Sequence, residues 1–265
     1  MKTLPFIVTG TPRSATRYTA RLLHAMKVPC THEHILRPLA TFADAWRWYQ
    51  TSEYGESSWM AWAILPVFPE SVPVLHSIRD PWKVIDSLTN RNSILKDTFN
   101  TDTMKSIRDT IRTFCPRVFE YTNRADRAAA FVVEWNRLIA NRVSNRMVYC
   151  VERLDVPMVR RMLHHIGYER DDQAIADGLQ ETSTSTNAGY TIIDTPGISD
   201  PVVAKYIRDE IAQGQKVFTR RIKNTPDRSS MAELANRISP DLLNEVNAHA
   251  VHYGYEPATT PAQVD

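Results

Sequence analysis

The feature that most constrains the fold of this chain is a short apolar run. It ends in a glycine turn and leads into an amphipathic stretch. Residues 4–8 are predicted to form a buried strand, because the run is apolar and is stopped by Gly10 and Pro12. In residues 14–26 the apolar positions recur every three to four residues, which predicts a helix. A strand, a tight turn and a helix in this order favour an α/β protein with parallel strands.

The rest of the chain alternates between predicted strands and helices. We expect further strands at 28–31, 72–78 and 146–151, helices at 41–49, 82–90 and 156–166, and a mostly helical region at 101–142. A surface excursion is predicted at 181–200 and a closing helix at 240–253. The expected fold is a single three-layer α-β-α domain over residues 1–265, with a central, mainly parallel sheet.

Composition excludes several classes of protein. The formal net charge of +2 argues against a general nucleic-acid binder, which usually carries a strong basic excess. Neither a signal peptide nor an apolar stretch of about 18 residues is visible, so no membrane span is expected. The three cysteines have no CxxC spacing, which indicates free thiols in a reducing compartment, and the protein is expected to be cytoplasmic.

The loop at 10–16 combines groups that bind anions. Backbone N–H groups at the start of the helix lack partners, and the helix dipole favours negative charge there. Arg13 adds a guanidinium, and Ser14 and Thr16 add hydroxyl donors. In the alternative interpretation Ser14 only caps the helix and Arg13 is a solvated surface side chain. The loop is not a Walker A motif, since Ala15 and Thr16 stand at its second glycine and lysine positions.

A second anion motif follows the strand predicted at 72–78. Arg79 comes at the carboxyl end of this strand, where open α/β sheets bind ligands. Ser87 lies about two helical turns further on, so both side chains could reach one phosphate. Alternatively, Asp80 only caps the helix and Ser87 is an ordinary surface residue.

Together the two motifs resemble those of the PAPS-dependent sulfotransferases. That family has a 5′-phosphosulfate loop, usually Pro-(Arg/Lys)-Ser-Gly-Thr-Thr, and a 3′-phosphate motif made of a strand, Arg-Asp-Pro and a serine at this spacing. The resemblance implies a P-loop NTPase-like sulfotransferase fold. It implies transfer of a sulfuryl group from PAPS to a hydroxyl or amine acceptor, with adenosine 3′,5′-bisphosphate as product and no metal. The donor-binding residues it implies are Thr11, Pro12, Arg13, Ser14, Ala15, Thr16, Arg17, Arg79 and Ser87.

The chain departs from this family pattern at several positions. Ala15 replaces a glycine and is expected to require a negative φ, and Arg17 replaces a hydroxyl residue, where it could clash with the donor or add charge. Val151 and Arg153 replace a tyrosine and an aspartate of the family's Tyr-Glu-Asp-Leu strand. The family's basic C-terminal loop is not evident. Its part could be taken by three residues that suit a solvated helix face equally well: Lys216, Arg220 and Arg221.

Three consecutive residues are candidates for the base that deprotonates the acceptor. Glu33 falls where several sulfotransferase branches carry a catalytic glutamate, and His32 and His34 are alternatives because the cytosolic branch uses a histidine. Alternatively, these are polar loop residues or a weak metal clip. Arg13 would stabilise charge on the leaving phosphate. The acceptor is expected to be a small-molecule, carbohydrate or lipid hydroxyl. Five aromatic residues either line its pocket or pack the core: Trp46, Trp48, Tyr49, Trp59 and Trp62.

Two other functions are compatible with the motifs. A degenerate P-loop kinase or NTPase would bind ATP with Mg²⁺, and a catalytically silent protein would bind a nucleotide without turnover. The segment 190–197 resembles the Asp-x-x-Gly element of GTPases. A GTPase would also need a lysine-bearing Walker loop and an Asn-Lys-x-Asp motif, and the sequence has neither.

Overall fold

A computed structural model of the protein describes residues 5–36, 41–91, 95, 102–187 and 231–258. The strands are β1 (Ile7–Gly10), β2 (Cys30–His32), β3 (Gly55–Ser57), β4 (Val74–Ile78) and β5 (Arg146–Cys150). The helices are α1 (Thr16–Ala25), α2 (Phe42–Thr51), α3 (Pro81–Arg91), α4 (Asp102–Phe114), α5 (Arg124–Arg142), α6 (Val156–His165), α7 (Asp172–Asn187), α8 (Met231–Ala235) and α9 (Pro240–His252). Short 3₁₀ turns lie at Ala61–Ala63, Leu65–Val67, Pro116–Phe119 and Val151–Arg153.

The five strands form one parallel sheet in the order β2-β3-β1-β4-β5. The predicted parallel α/β architecture is therefore confirmed. The chain builds β2 and β3 on one side of β1 and then crosses to β4 on the other side. Open α/β sheets bind ligands at the carboxyl ends of the strands where the strand order switches direction. In this protein that place is the edge beyond β1 and β4, where Gly10, the last residue of β1, pairs with Ser77, the next-to-last residue of β4.

Side chains that alternate along the strands supply two separate hydrophobic layers, one on each face of the sheet. Ile7 and Val74 face a core that includes α3, α5 and the tryptophans of the 58–62 region. Phe6, Val8 and Leu75 face a second core made with α1, α6 and α7. This alternation produces the three-layer arrangement that the sequence predicts.

Strand β3 was not predicted, because its three residues include a glycine, a charged residue and no apolar side chain. Gly55 is required by packing, since a Cβ atom at this position would lie 2.2 Å from the ring of Phe6. Glu56 and Ser57 are fully buried despite being polar. A strand of this composition needs a reason beyond core packing, and its contacts lead to the candidate site.

Most of the aromatic residues between the two anion motifs pack the core. Trp48, Trp59 and Trp62 are buried, and the rings of Trp59 and Trp62 lie 5.3 and 4.7 Å from that of Trp135. Trp46 differs, because its side chain on the outer face of α2 is 39% exposed. The core interpretation therefore holds for the three buried tryptophans.

The remaining sequence predictions concern the segment 181–200, the cysteines and the possibility of a membrane span. Helix α7 continues to Asn187, so the first part of the segment 181–200 is helical. The remainder of that segment, the GTPase-like residues 190–197, and Lys216, Arg220 and Arg221 lie outside the described residues. All three cysteines are free thiols, and Cys30 and Cys115 are buried. In the described part of the chain, no helix is long and apolar enough to cross a membrane.

Candidate functional site

The two anion motifs meet at the carboxyl edge of β1 and β4. The Nε of Arg13 donates a hydrogen bond of 2.8 Å to the Oγ of Ser87, and the Nη1 of Arg79 donates one of 3.0 Å to the backbone oxygen of Arg13. The residues joined are 74 and 66 positions apart in sequence. Guanidinium groups from the two loops therefore lie at the same edge of the sheet.

The turn after β1 is built around Gly10. A Cβ atom here would lie 2.4 Å from both the Ser14 Oγ and the backbone oxygen of Ser77, so only glycine fits. The backbone N–H of Ser14 donates to the oxygen of Thr11 at 3.0 Å and closes the turn, in which Thr11 and Pro12 are buried. This places the loop directly over the end of β4.

Ser14 does not cap α1. The N-cap residue is Ala15, and no side chain bonds to the helix at that position. The Oγ of Ser14 is buried and has no hydrogen-bond partner among the residues that the structure describes. A buried polar atom left unpaired costs about 1–3 kcal/mol, and a ligand that bonds to it would remove this cost. This hydroxyl is suited to bind an anion held by the loop.

The expectation of a negative φ at Ala15 was wrong. Ala15 has a φ of 68° and Arg13 a φ of 75°, both in the left-handed region. The loop keeps the backbone shape that glycine would adopt without strain, and a non-glycine residue there costs about 1–2 kcal/mol. Alternation of left-handed with ordinary backbone is also the pattern that forms anion-binding concavities.

Ala15→Gly is expected to stabilise the protein by about 0.5–1 kcal/mol. Relief of the left-handed strain exceeds the extra backbone entropy that glycine gains in the unfolded chain. Urea denaturation of the two proteins measures the difference. The matched control is Ala20→Gly in the interior of α1, which should destabilise the protein. An equal loss in both variants would contradict the left-handed backbone at residue 15.

The second motif is held by a carboxylate that was not predicted. The Nε of Arg79 lies 3.7 Å from the Oε1 of Glu152, and the Nζ of Lys83 lies at the same distance from this atom. The Oε2 of Glu152 accepts a hydrogen bond of 2.7 Å from the hydroxyl of Tyr255. Glu152 follows β5, the neighbour of β4, and it matches the glutamate of the Tyr-Glu-Asp-Leu strand that residues 151–154 resemble. These are the two signals that could have placed it here.

In the alternative interpretation of the second motif, Asp80 only caps α3 and Ser87 is an ordinary surface residue. The Oδ1 of Asp80 accepts from the backbone N–H of Trp82 at 3.0 Å, so Asp80 does cap α3. Ser87 is not an ordinary surface residue, because it is 7% exposed and bonded to Arg13. The cap and the contact between the motifs therefore coexist.

Arg153 stands where the sulfotransferase motif has an aspartate. Its side chain attaches the turn after α9 to this region. Its guanidinium donates to the backbone oxygens of Tyr253 and Gly254 and lies 4.9 Å from the ring centre of Tyr255. This arrangement brings the hydroxyl of Tyr255 to Glu152. The turn after α9 thus lies beside the second motif.

The three base candidates follow β2 and occupy different environments. The Nε2 of His32 lies 3.3 Å from the Thr16 Oγ1 and 3.8 Å from the Oε1 of Glu33. Burial, helped by the charge of Arg17, lowers the pKa of His32 to about 3, so its imidazole is neutral at pH 7. The Glu33 side chain is 34% exposed, and its backbone has a φ of 53°. His32 and Glu33 are thus adjacent to the anion loop.

The remaining predicted residues also lie around this loop. Thr16 is buried and Arg17 is exposed at the start of α1. His34 is held through its backbone N–H, which donates to the Oε1 of Glu56 at 2.7 Å. Glu56 was not predicted from the sequence, because no motif includes it.

No protein-family model and no curated protein matches the chain. The resemblance to sulfotransferases therefore rests on the two motifs themselves. Among the described residues, no group of three or more histidine, cysteine, aspartate or glutamate side chains is arranged to hold a metal ion.

Proposed function

We propose that this protein is a PAPS-dependent sulfotransferase. The observation that carries the proposal is the contact between the two anion motifs, in which Arg13 bonds to Ser87 and Arg79 bonds to the backbone of Arg13. Cationic and hydroxyl groups from two loops at one sheet edge suit a nucleotide that carries phosphates on both the 3′ and the 5′ oxygen. The acceptor would be a small-molecule, carbohydrate or lipid hydroxyl, or an amine.

The proposed reaction is an in-line displacement at sulfur. The acceptor oxygen forms a new bond to sulfur while the bond from sulfur to the bridging oxygen of the 5′-phosphate breaks, and the bonding pair stays on that oxygen. Arg13 and the N-terminus of α1 would stabilise the negative charge that develops there. Adenosine 3′,5′-bisphosphate leaves as the product. Positioning of donor and acceptor would supply much of the remaining rate enhancement.

Glu33 is the proposed base that takes the acceptor proton, with His32 and His34 as alternatives. Glu33 is partly exposed, so an acceptor could approach it, and it lies beside His32, which contacts Thr16 in the anion loop. A neutral His32 can accept a proton, but its lowered pKa of about 3 makes it a weak base. The greater exposure of the Glu33 side chain, 34% against 14% for His32, favours Glu33 as the group that an acceptor can reach. The free thiols of all three cysteines support a reducing compartment, and we propose that the protein works in the cytoplasm.

Titration of thermal stability with nucleotides tests this function. Adenosine 3′,5′-bisphosphate should raise the melting temperature without metal, by an amount that corresponds to about 2.7 kcal/mol at a concentration 100 times the Kd. ATP should have a smaller effect, which Mg²⁺ does not increase. Transfer from labelled PAPS to a panel of phenols, sugars, lipids and amines would follow.

Two outcomes would support the rival functions. Binding of ATP that depends on Mg²⁺, without binding of the bisphosphate, would indicate a degenerate P-loop kinase or NTPase. Binding of the bisphosphate without transfer from PAPS to any acceptor or to water would indicate a catalytically silent nucleotide-binding protein.

A further inference from the structure

A buried carboxylate lies directly behind the loop that carries the base candidates. Glu56, in the middle of β3, is fully buried. Its Oε1 accepts hydrogen bonds from three consecutive backbone N–H groups, those of His34, Ile35 and Leu36, at 2.7, 3.1 and 3.3 Å. Its Oε2 accepts from the hydroxyl of Thr31. One side chain thus fixes the backbone of residues 34–36.

Burial of this carboxylate is costly, so its retention needs a cause. A charged group removed from water is stable only if several donors compensate for the lost hydration, and Glu56 uses four of them. Burial raises its pKa to about 7 even though every one of these hydrogen bonds lowers it. An apolar side chain would fill the same place in β3 without this cost, but it could not hold the N–H groups of the loop.

The next residue along β3 connects the same loop to the anion loop. The backbone oxygen of Ser57 accepts from the N–H of Glu33 at 3.0 Å, and its Oγ donates to the backbone oxygen of Thr16 at 2.8 Å. Glu56 and Ser57 therefore hold residues 33–36 on one side and the start of α1 on the other. The spacing between Glu33 and the anion loop depends on these two residues of β3.

We propose that Glu56 is a positioning residue, whose carboxylate holds residues 33–36 so that Glu33 keeps its place beside the anion loop. This inference rests on the proposed sulfotransferase function. Glu56 is fully buried behind the loop, so it would act only through residues 33–36. Misplacement of a catalytic group by about 1 Å can lower a rate about 100-fold.

Glu56→Gln tests the proposal, because it keeps the size of the side chain but replaces one acceptor oxygen by an amide. The release of labelled sulfate or transferred product from PAPS should fall at least about 10-fold. The Kd of adenosine 3′,5′-bisphosphate should stay within about twofold, since the anion loop itself is unchanged. Glu53→Gln, which alters an exposed carboxylate three residues earlier, is the matched control and should change neither value. Unchanged turnover, or a parallel loss of turnover and binding, would overturn the proposal.

Two further measurements keep the test decisive. If Glu56→Gln does not fold, Glu56→Asp retains the charge but is one methylene too short to reach all three N–H groups, and it should show the same loss of turnover. If the wild-type protein neither binds the bisphosphate nor consumes PAPS, the proposed function fails by itself. Hydrogen exchange then tests Glu56: the variant should lose protection at residues 34–36 while β1 and β4 keep theirs, and retained protection at 34–36 would overturn the positioning role.

Discussion

Arg13→Ala is expected to weaken the binding of adenosine 3′,5′-bisphosphate about 100-fold. The Arg13 guanidinium is held between the two motifs by its hydrogen bond to Ser87. The backbone oxygen of Arg13 accepts a hydrogen bond from Arg79. Loss of one or two charge-assisted hydrogen bonds to a phosphate costs roughly 3 kcal/mol, which corresponds to about 100-fold in Kd. Arg13→Lys keeps the charge but not the planar fork, so its loss should be intermediate.

Isothermal titration with the bisphosphate measures these affinities. Arg21→Ala, two turns along α1 from the loop, is the matched control and should leave the Kd within about twofold, because surface charges at that distance are screened. A double-mutant cycle of Arg13→Ala with Ser87→Ala should be non-additive, since the two side chains are in contact. Equal losses in the variants at 13 and 21 would show that net charge, rather than this site, controls binding.

The part of the fold that could be predicted from the sequence is the part whose signal is local. The apolar runs of β1, β4 and β5 and the periodic helices between them are visible in the chain itself. Strand β3 is not, because Gly55 and Glu56 are explained only by Phe6 and by the loop at 34–36, which come from other elements. Helix α7 was also not predicted, as its sequence is polar and rich in threonine and serine.

The same distinction applies to the site. Arg13 and Arg79 each follow a strand, and the carboxyl ends of parallel strands meet at one edge, so the sequence predicts that both lie at this edge. Their direct contact also requires that β1 and β4 are neighbours. The contacts of Glu56 and Glu152 likewise depend on which strands become neighbours, and no local pattern contains that order. Glu152 differs from Glu56 only in that it matches the glutamate of the family's Tyr-Glu-Asp-Leu strand. The left-handed backbone at Ala15 was hidden for another reason: alanine does not normally mark such a position, whereas glycine would have done so.

A polar network behind the sheet contributes to the response of the protein to acid, together with His24 and His32, whose pKa values burial lowers to about 4 and about 3. On β4, the ring Nε2 of His76 lies 3.0 Å from the Oδ1 of Asn136, whose amide nitrogen lies 3.2 Å from the Nε2 of His249 on α9. Burial lowers the pKa of both histidines to about 4, and neighbouring cationic groups, such as Arg146 beside His76, add to this effect. Neither imidazole can be protonated in the folded protein without loss of stability.

The free energy of unfolding should therefore fall as the pH drops below about 6.5. In the unfolded chain an imidazole has a pKa near 6.5, so between pH 6.5 and 4 the unfolded state binds more protons, and the stability present above pH 6.5 is lost through this interval. For His76 alone the loss is roughly 2 kcal/mol at pH 5. Glu56 acts in the opposite direction, since its raised pKa of about 7 makes the folded state gain stability as pH falls from 7 to 4.5.

Comparison of variants isolates the contribution of one histidine from that of Glu56. His76→Gln, whose amide can still bond to Asn136, should reduce the difference in unfolding free energy between pH 7.5 and pH 5 by roughly 2 kcal/mol, as measured by urea denaturation. The exposed His164 on α6 provides the control, because His164→Gln removes an imidazole at the surface and leaves this network unchanged. If His76→Gln unfolds at pH 5, His249→Gln makes the same comparison from the other end of the network. A wild-type pH dependence in both variants would show that protonation of this network does not cause the acid lability, because removal of either imidazole must remove its proton uptake on unfolding.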